Sequence, residues 1–157
     1  MNDRQDEIKN IISGVLDFFN IDYDIDVEID ESADILIFNI KTPESGLLIG
    51  TNGDNLNALQ SLIKRIVFKK MGDEQEFSFS LDVNNYRKGR IEFIKEMARN
   101  FANEAEFTKK PVTLQPMSSF ERRIVHLEIM ARGGTVTTES AGEGYDRYII
   151  IKPVQTI

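Results

Sequence analysis

The stretch Gly46-Leu47-Leu48-Ile49-Gly50-Thr51-Asn52-Gly53-Asp54 sets two glycines around two small polar residues, after a short apolar lead and ahead of a long helical pattern. In that pattern Leu56, Leu59, Leu62, Ile63, Ile66 and Val67 recur at spacings of three and four, as one face of an α-helix requires. The glycine pair therefore opens a helix. Upstream, Ile8, Ile11, Ile12, Val15, Leu16 and Phe19 predict another helix over 6–19. Tyr23, Ile25, Val27 and Ile29 then alternate with Asp24, Asp26, Glu28 and Asp30, the period of a half-buried strand whose outer face is strongly acidic. After Glu31-Ser32-Ala33-Asp34 the apolar run 35–40 reads as the returning strand of a hairpin, ended by Pro43. Downstream of Met71-Gly72-Asp73, Phe77, Phe79, Leu81 and Val83 alternate with Ser78, Ser80 and Asp82 as a third strand. The predicted order over residues 1–83 is αββααβ.

Residues 84–157 carry a second pattern. A long helix is expected from Asn84 to about Thr108, with Tyr86, Arg90, Phe93, Ile94, Met97, Phe101 and Ala105 along one side. Lys109-Lys110-Pro111 closes it, and residues 112–114 form a short strand. Ser118-Ser119-Phe120-Glu121 is a capping box, in which the serine and the glutamate satisfy each other's backbone amides at a helix start. That helix is expected over 119–131, with Phe120, Ile124, Leu127 and Ala131 facing the core. Gly133-Gly134 turns the chain into strands over 135–139 and 148–152. The predicted class is α+β, two small αβ domains in tandem, αββααβ then αβαββ. The short junction after Val83 implies a semi-rigid pair.

Composition narrows the function. The 157 residues include no cysteine and one histidine, which excludes disulfides, thiolate metal sites, a Cys-His nucleophile and any centre needing two histidines. The alternating acids of residues 24–30 lack the glycine and glutamate positions of a calcium loop, no Walker sequence is present, and Gly142-x-Gly144 starts no long helix. We therefore expect no metal, no cofactor and no enzymatic activity. The N-terminus holds acids and no signal-like apolar run, and no stretch approaches a membrane span, so a cytoplasmic chain without membrane insertion is expected. The net charge of -7 is unevenly divided: residues 1–83 hold 7 Lys/Arg and 17 Asp/Glu (net -10), residues 84–157 hold 12 and 9 (net +3). A polyanion would find its charge partner in the second half.

Glycines without Cβ atoms let a nucleic-acid backbone approach the main chain, and free amides at the following helix start can donate to phosphate oxygens. Read this way, Gly50, Thr51, Asn52 and Gly53 are candidate binding residues; the alternative is a tight turn between helices. With the αββααβ order around it, the segment 1–83 resembles a type II KH domain, whose helix-GxxG-helix element clamps about four unpaired nucleotides. Thr51 and Asn52 stand where many such loops carry Lys or Arg, and Asp54 opposes phosphate, so contact through this loop is expected to be modest. Lys64, Arg65, Lys69 and Lys70 on the next helix are candidates to supply charge, against the plainer role of a solvated face.

In the second half, Arg122 and His126 lie four apart on one helix face. A guanidinium takes phosphate by two parallel N–H bonds, and an imidazole donates a bond or stacks beneath a base. This Arg-x-x-x-His pattern, set in residues 116–126 with Lys110-Pro111-Val112-Thr113-Leu114 before it, is similar to the Arg-three-His domain that binds single-stranded nucleic acid. Arg123 is read equally as an ion-pair partner or a second phosphate contact. Arg147 with Lys152, and Arg87, Lys88 and Arg90, are candidates to extend the basic surface. Both halves in this order resemble the bacterial Jag or KhpB family, without a counterpart here of the extra N-terminal domain that many members carry. That resemblance implies binding of single-stranded RNA, a post-transcriptional regulator or RNA chaperone linked to cell-envelope growth and cell shape, and pairing with a second, smaller KH protein. The runner-up is a protein-interaction adaptor whose KH loop has lost RNA affinity.

Overall fold

The computed structural model describes residues 2–31, 34–72 and 78–154, and it divides into two compact units, 1–87 and 88–157. Both have the expected α+β make-up.

In the first unit, α1 (Asn2–Leu16) is followed by β1 (Asp24–Asp30), β2 (Ile35–Lys41), α2 (Ser45–Ile49), α3 (Asp54–Met71) and β3 (Phe79–Val83). The strand order is β1-β2-β3, with β1 antiparallel and β3 parallel to β2. Ile8, Ile11, Ile12 and Leu16 of α1 and Leu56, Leu59, Ile63 and Val67 of α3 bury one stripe each against Ile25, Phe38, Ile40, Leu81 and Val83 of the sheet. The helical period of α1 extends to Phe19, yet the α-helix stops at Leu16, passes through a 3-10 turn, and ends at Asn20 in the left-handed conformation. The hairpin residues Ser32 and Ala33, and Asp73 and Phe77 before β3, lie outside the described residues.

Asp82, expected on the outer face of β3, is instead buried. Its Oδ1 accepts the amides of Val83 (2.8 Å) and Arg87 (3.2 Å), so it serves the start of the next helix. Burial pushes this carboxyl above its ordinary pKa, and the two amide bonds pull the other way.

The helix expected from Asn84 begins two residues later. Asn84 and Asn85 both adopt positive φ (48° and 57°), which an asparagine tolerates better than most residues. They exchange side-chain bonds with the end of β2. Asn39 donates through Nδ2 to Asn85 Oδ1 (2.9 Å) and accepts the Asn85 amide on its own Oδ1 (3.2 Å), while Asn84 accepts the Thr42 amide (3.1 Å) and donates to the Thr42 carbonyl (2.8 Å).

The second unit comprises most of α4 (Tyr86–Thr108), then β4 (Val112–Thr113), α5 (Ser119–Arg132), β5 (Val136–Ala141) and β6 (Tyr148–Pro153), with an antiparallel sheet of order β4-β6-β5. The buried stripe of α4 is Ile94, Ala98, Ala102 and Ala105, with Met97 and Phe101 half-buried and Phe93 exposed. Three of the four buried positions are alanines, and Phe93, expected on this face, lies outside it.

The same offset occurs on α5. Phe120 and Leu127, expected inside, are exposed, and Glu121, Val125 and Ile129 are buried. The capping box explains the rotation. Glu121 Oε2 accepts the Ser118 amide (3.0 Å), and its Oε1 takes the Nε and Nη2 of Arg90, both at 2.8 Å. The cap glutamate is thus also an interior ion-pair partner, which turns its side of the helix inward.

Candidate nucleic-acid interface

The loop between α2 and α3 is glycine-dependent for reasons internal to the protein. Gly50 has φ 69°, and a Cβ there would lie 2.5 Å from Asn55 Cγ. The Asn55 amide occupies that space because its Nδ2 donates to the Leu47 carbonyl (2.9 Å). Gly53 has φ 86°, is buried, and a Cβ would sit 3.0 Å from the Tyr86 ring. The Cβ sides of both glycines are therefore filled by Asn55 and Tyr86, and only their other faces remain for a strand. Between them Thr51 and Asn52 are exposed, Asn52 with φ 53°. The first turn of α3 has no side-chain cap, so amides at its start are not satisfied in that way.

A contrast of variants separates packing from binding. Gly53→Ala is expected to destabilise the first unit by about 1–2 kcal/mol through its left-handed backbone alone, read as a lower melting temperature. Thr51→Asp, at an exposed position, is expected to leave the melting temperature unchanged and weaken any phosphate contact by about 1 kcal/mol, some fivefold in Kd by titration.

On α3, Lys64 and Arg65 are exposed, and Lys64 Nζ lies 5.8 Å from the Phe79 ring centroid. Arg87 does not extend a basic surface. Its Nε donates to the Leu81 carbonyl (2.9 Å) and its Nη2 to Gln60 (3.1 Å), so it fastens α3 to β3. Arg90 is likewise committed to Glu121.

In the second unit Arg122 and His126 flank the buried stripe of α5 instead of opposing it, and this brings them to β5. Val136, Thr138 and Ser140 share one face of that strand; Val136 enters the core, and the two hydroxyls continue the row beyond it. His126 Nδ1 bonds Thr138 Oγ1 (2.6 Å), which leaves Nε2 without a protein partner among the described residues. Arg147 Nε donates to Ser140 Oγ (2.8 Å). Arg122 Nη1 donates to the Met117 carbonyl (2.7 Å), and the Met117 amide donates to the Arg147 carbonyl (3.2 Å). Arg122, His126 and Arg147 are thus linked through Met117, Thr138 and Ser140.

Arg122 and Arg147 differ from the ion-paired cations of the unit. Arg90, Arg99 and Arg132 pair with Glu121, Glu128 and Glu106, and Lys152 pairs with Glu139. Arg132 in turn holds the Glu106 carboxyl below its ordinary pKa. Among the described residues, Arg122 and Arg147 bond only neutral oxygens, and Arg123 is exposed with no carboxylate in ion-pairing distance. Lys152, expected to act with Arg147, projects with Glu139 from the opposite face of the sheet. Met117, Thr138 and Ser140 were not singled out from sequence, although the alternation with Val136 carries the signal for the two hydroxyls.

Two family models match the chain in tandem: the KH domain of KhpA and KhpB over residues 5–77, and the Arg-three-His domain over residues 92–153. The chain thus carries a KH domain of the KhpA and KhpB type followed by an Arg-three-His domain. It is 36% identical over 147 residues to the RNA-binding protein KhpB of Clostridium symbiosum, an alignment covering 94% of this chain and 65% of that protein. It is 34% identical over 127 residues to the Bacillus subtilis protein of the same name (80% and 60%), and 36% identical over 126 residues to that of Lactiplantibacillus plantarum (80% and 38%). The chain thus spans two thirds or less of the length of these relatives. The Gly50 to Gly53 loop lies within the KH match, and Arg122, Arg123, His126 and Arg147 lie within the Arg-three-His match. The Asn84-Asn85 junction falls between the two.

Proposed function

We propose that this chain binds single-stranded RNA, with the Arg-three-His domain supplying the charge and the KH loop supplying main-chain contacts. The linked Arg122, His126 and Arg147 group carries the proposal, because its two guanidiniums rest on neutral oxygens and keep their charge for an outside anion. A guanidinium has five N–H donors, so one bond to protein leaves a fork for phosphate. The names of the relatives, RNA-binding proteins, support the same reading. Lys64 and Arg65 are proposed as further contacts from the KH domain, and Arg123 as a second phosphate contact. The action is by occupancy, without chemistry on the RNA, as a post-transcriptional regulator or RNA chaperone of the cytoplasm. A role in cell-envelope growth and cell shape, and pairing with a smaller KH protein, belong to the same proposal.

Among the described residues no helix is long and apolar enough to cross a membrane, and no cluster of three metal-binding side chains occurs. Fluorescence anisotropy with a labelled mixed-sequence single-stranded RNA at two salt concentrations tests the proposal. Binding that weakens with salt at a log-log slope of about -0.7 per phosphate contact is expected. One observation favours the adaptor reading: Phe120, Leu127 and Met130 are exposed on α5. No saturable RNA binding at low salt is the outcome that reading requires.

A further inference from the structure

The turn between β5 and β6 carries a tyrosine that serves no purpose in the fold. Tyr145 is 101% exposed, so it buries nothing and contributes nothing to either core. The turn that holds it is nonetheless closely specified. Gly142 has φ 81°, and a Cβ there would stand 2.7 Å from the Asp146 carbonyl oxygen. The Asp146 amide donates to the Glu143 carbonyl (3.1 Å), and residues 144–146 form a 3-10 turn. Two residues on, Arg147 is fixed by its bond to Ser140 and by the Met117 amide on its carbonyl. Phe18 and Phe107 are nearly as exposed, but Tyr145 alone of the three stands two residues from Arg147 of the linked group.

We infer that Tyr145 is a base-stacking residue that extends the Arg122, His126 and Arg147 site by one nucleotide; this rests on the RNA-binding reading above. Proteins that hold unpaired strands combine cations for phosphates with aromatic faces for bases, and a stacked base needs no sequence match. The neighbours of Tyr145 favour a base over a phosphate. Glu143 and Asp146 flank it with negative charge, which repels the backbone and directs it toward the guanidiniums, while the uncharged face of a base suffers no such repulsion. A turn whose backbone is held in place presents the ring without a large ordering cost on binding.

The chain has no tryptophan, so Tyr145→Trp creates a single reporter at the turn. Its emission is expected to be quenched on titration with single-stranded RNA, at the same midpoint as the anisotropy change. Tyr145→Ala is expected to weaken binding about tenfold while leaving the salt slope and melting temperature as in wild type, and Tyr145→Phe is expected to bind as wild type. RNA binding with unquenched indole emission in the Tyr145→Trp protein and an unaffected Tyr145→Ala overturns the stacking role and leaves RNA binding standing. Absence of RNA binding by the wild-type chain overturns both.

Discussion

Replacing Glu121 by alanine is expected to destabilise the second unit by about 3 kcal/mol and lower its melting temperature by on the order of 15 °C. Two losses coincide. One carboxylate oxygen neutralises Arg90, whose side chain is 24% exposed against 6% for Glu121, and the other receives the Ser118 amide at the start of α5. Removing one member of a mostly buried ion pair is costlier than removing a surface pair, because the remaining charge keeps its desolvation penalty. Ser118→Ala removes only the cap and is expected to cost about 1 kcal/mol. Thermal unfolding of both variants checks the ranking. Equal melting temperatures for Glu121→Ala and Ser118→Ala contradict the account, since the ion pair would then contribute nothing. Because α5 also carries Arg122 and His126, Glu121→Ala should reduce RNA affinity only through loss of folded protein.

Much of this was legible in the residues. Periods of two and near 3.6 gave both element orders, the paired glycines marked the start of α3, and the capping box marked that of α5. On α4 the expected side largely holds, with Ile94 and Ala105 buried and Met97 and Phe101 packed on the core, while Phe93 falls outside it; on α5 Phe120 and Leu127 outline a stripe offset from the buried one. The inward side of α5 is set by Glu121, a charged residue inside, and the buried face of α4 is completed by Ala98 and Ala102, residues too small to stand out in the pattern. Asp82 was misplaced for a similar reason: strand alternation assigned it outward, and its hydrogen bonds to the Val83 and Arg87 amides drew it in.

The site shows the same division. Helical spacing pairs Arg122 with His126, and Arg147 stands out with Lys152 as a basic residue of the closing strand, while their supports, Met117, Thr138 and Ser140, are residues with no chemical signature of their own. In sequence the glycines of the KH loop offer either room for a ligand or a tight turn between helices. Asn55 and Tyr86 use that room on the Cβ side, so the loop's shape is held by packing and a strand would meet only its other face.

Arg122→Ala is expected to weaken single-stranded RNA binding by about 1.5–3 kcal/mol, roughly ten- to a hundredfold in Kd, the range of a charge-assisted hydrogen bond. The loss should be uniform across RNA sequences, because phosphate contacts position the strand without reading bases. The Met117 carbonyl also loses its donor, which makes a small fall in melting temperature part of the expectation. Arg122→Lys retains a charge without the fork and is expected to fall between wild type and alanine. If Arg122→Lys binds as wild type, a point charge suffices and bidentate recognition is wrong.

Arg122 and Arg147 are held to keep unneutralised charge for the RNA backbone, and everything proposed for the site depends on it. The most direct test is the salt dependence of binding for wild type and for the Arg122→Ala, Arg147→Ala double variant, measured on the same single-stranded RNA. The log-log slope should be shallower in the double variant by about 1.4, two contacts at about 0.7 each. Identical slopes and affinities in the two proteins would show that the strand binds elsewhere.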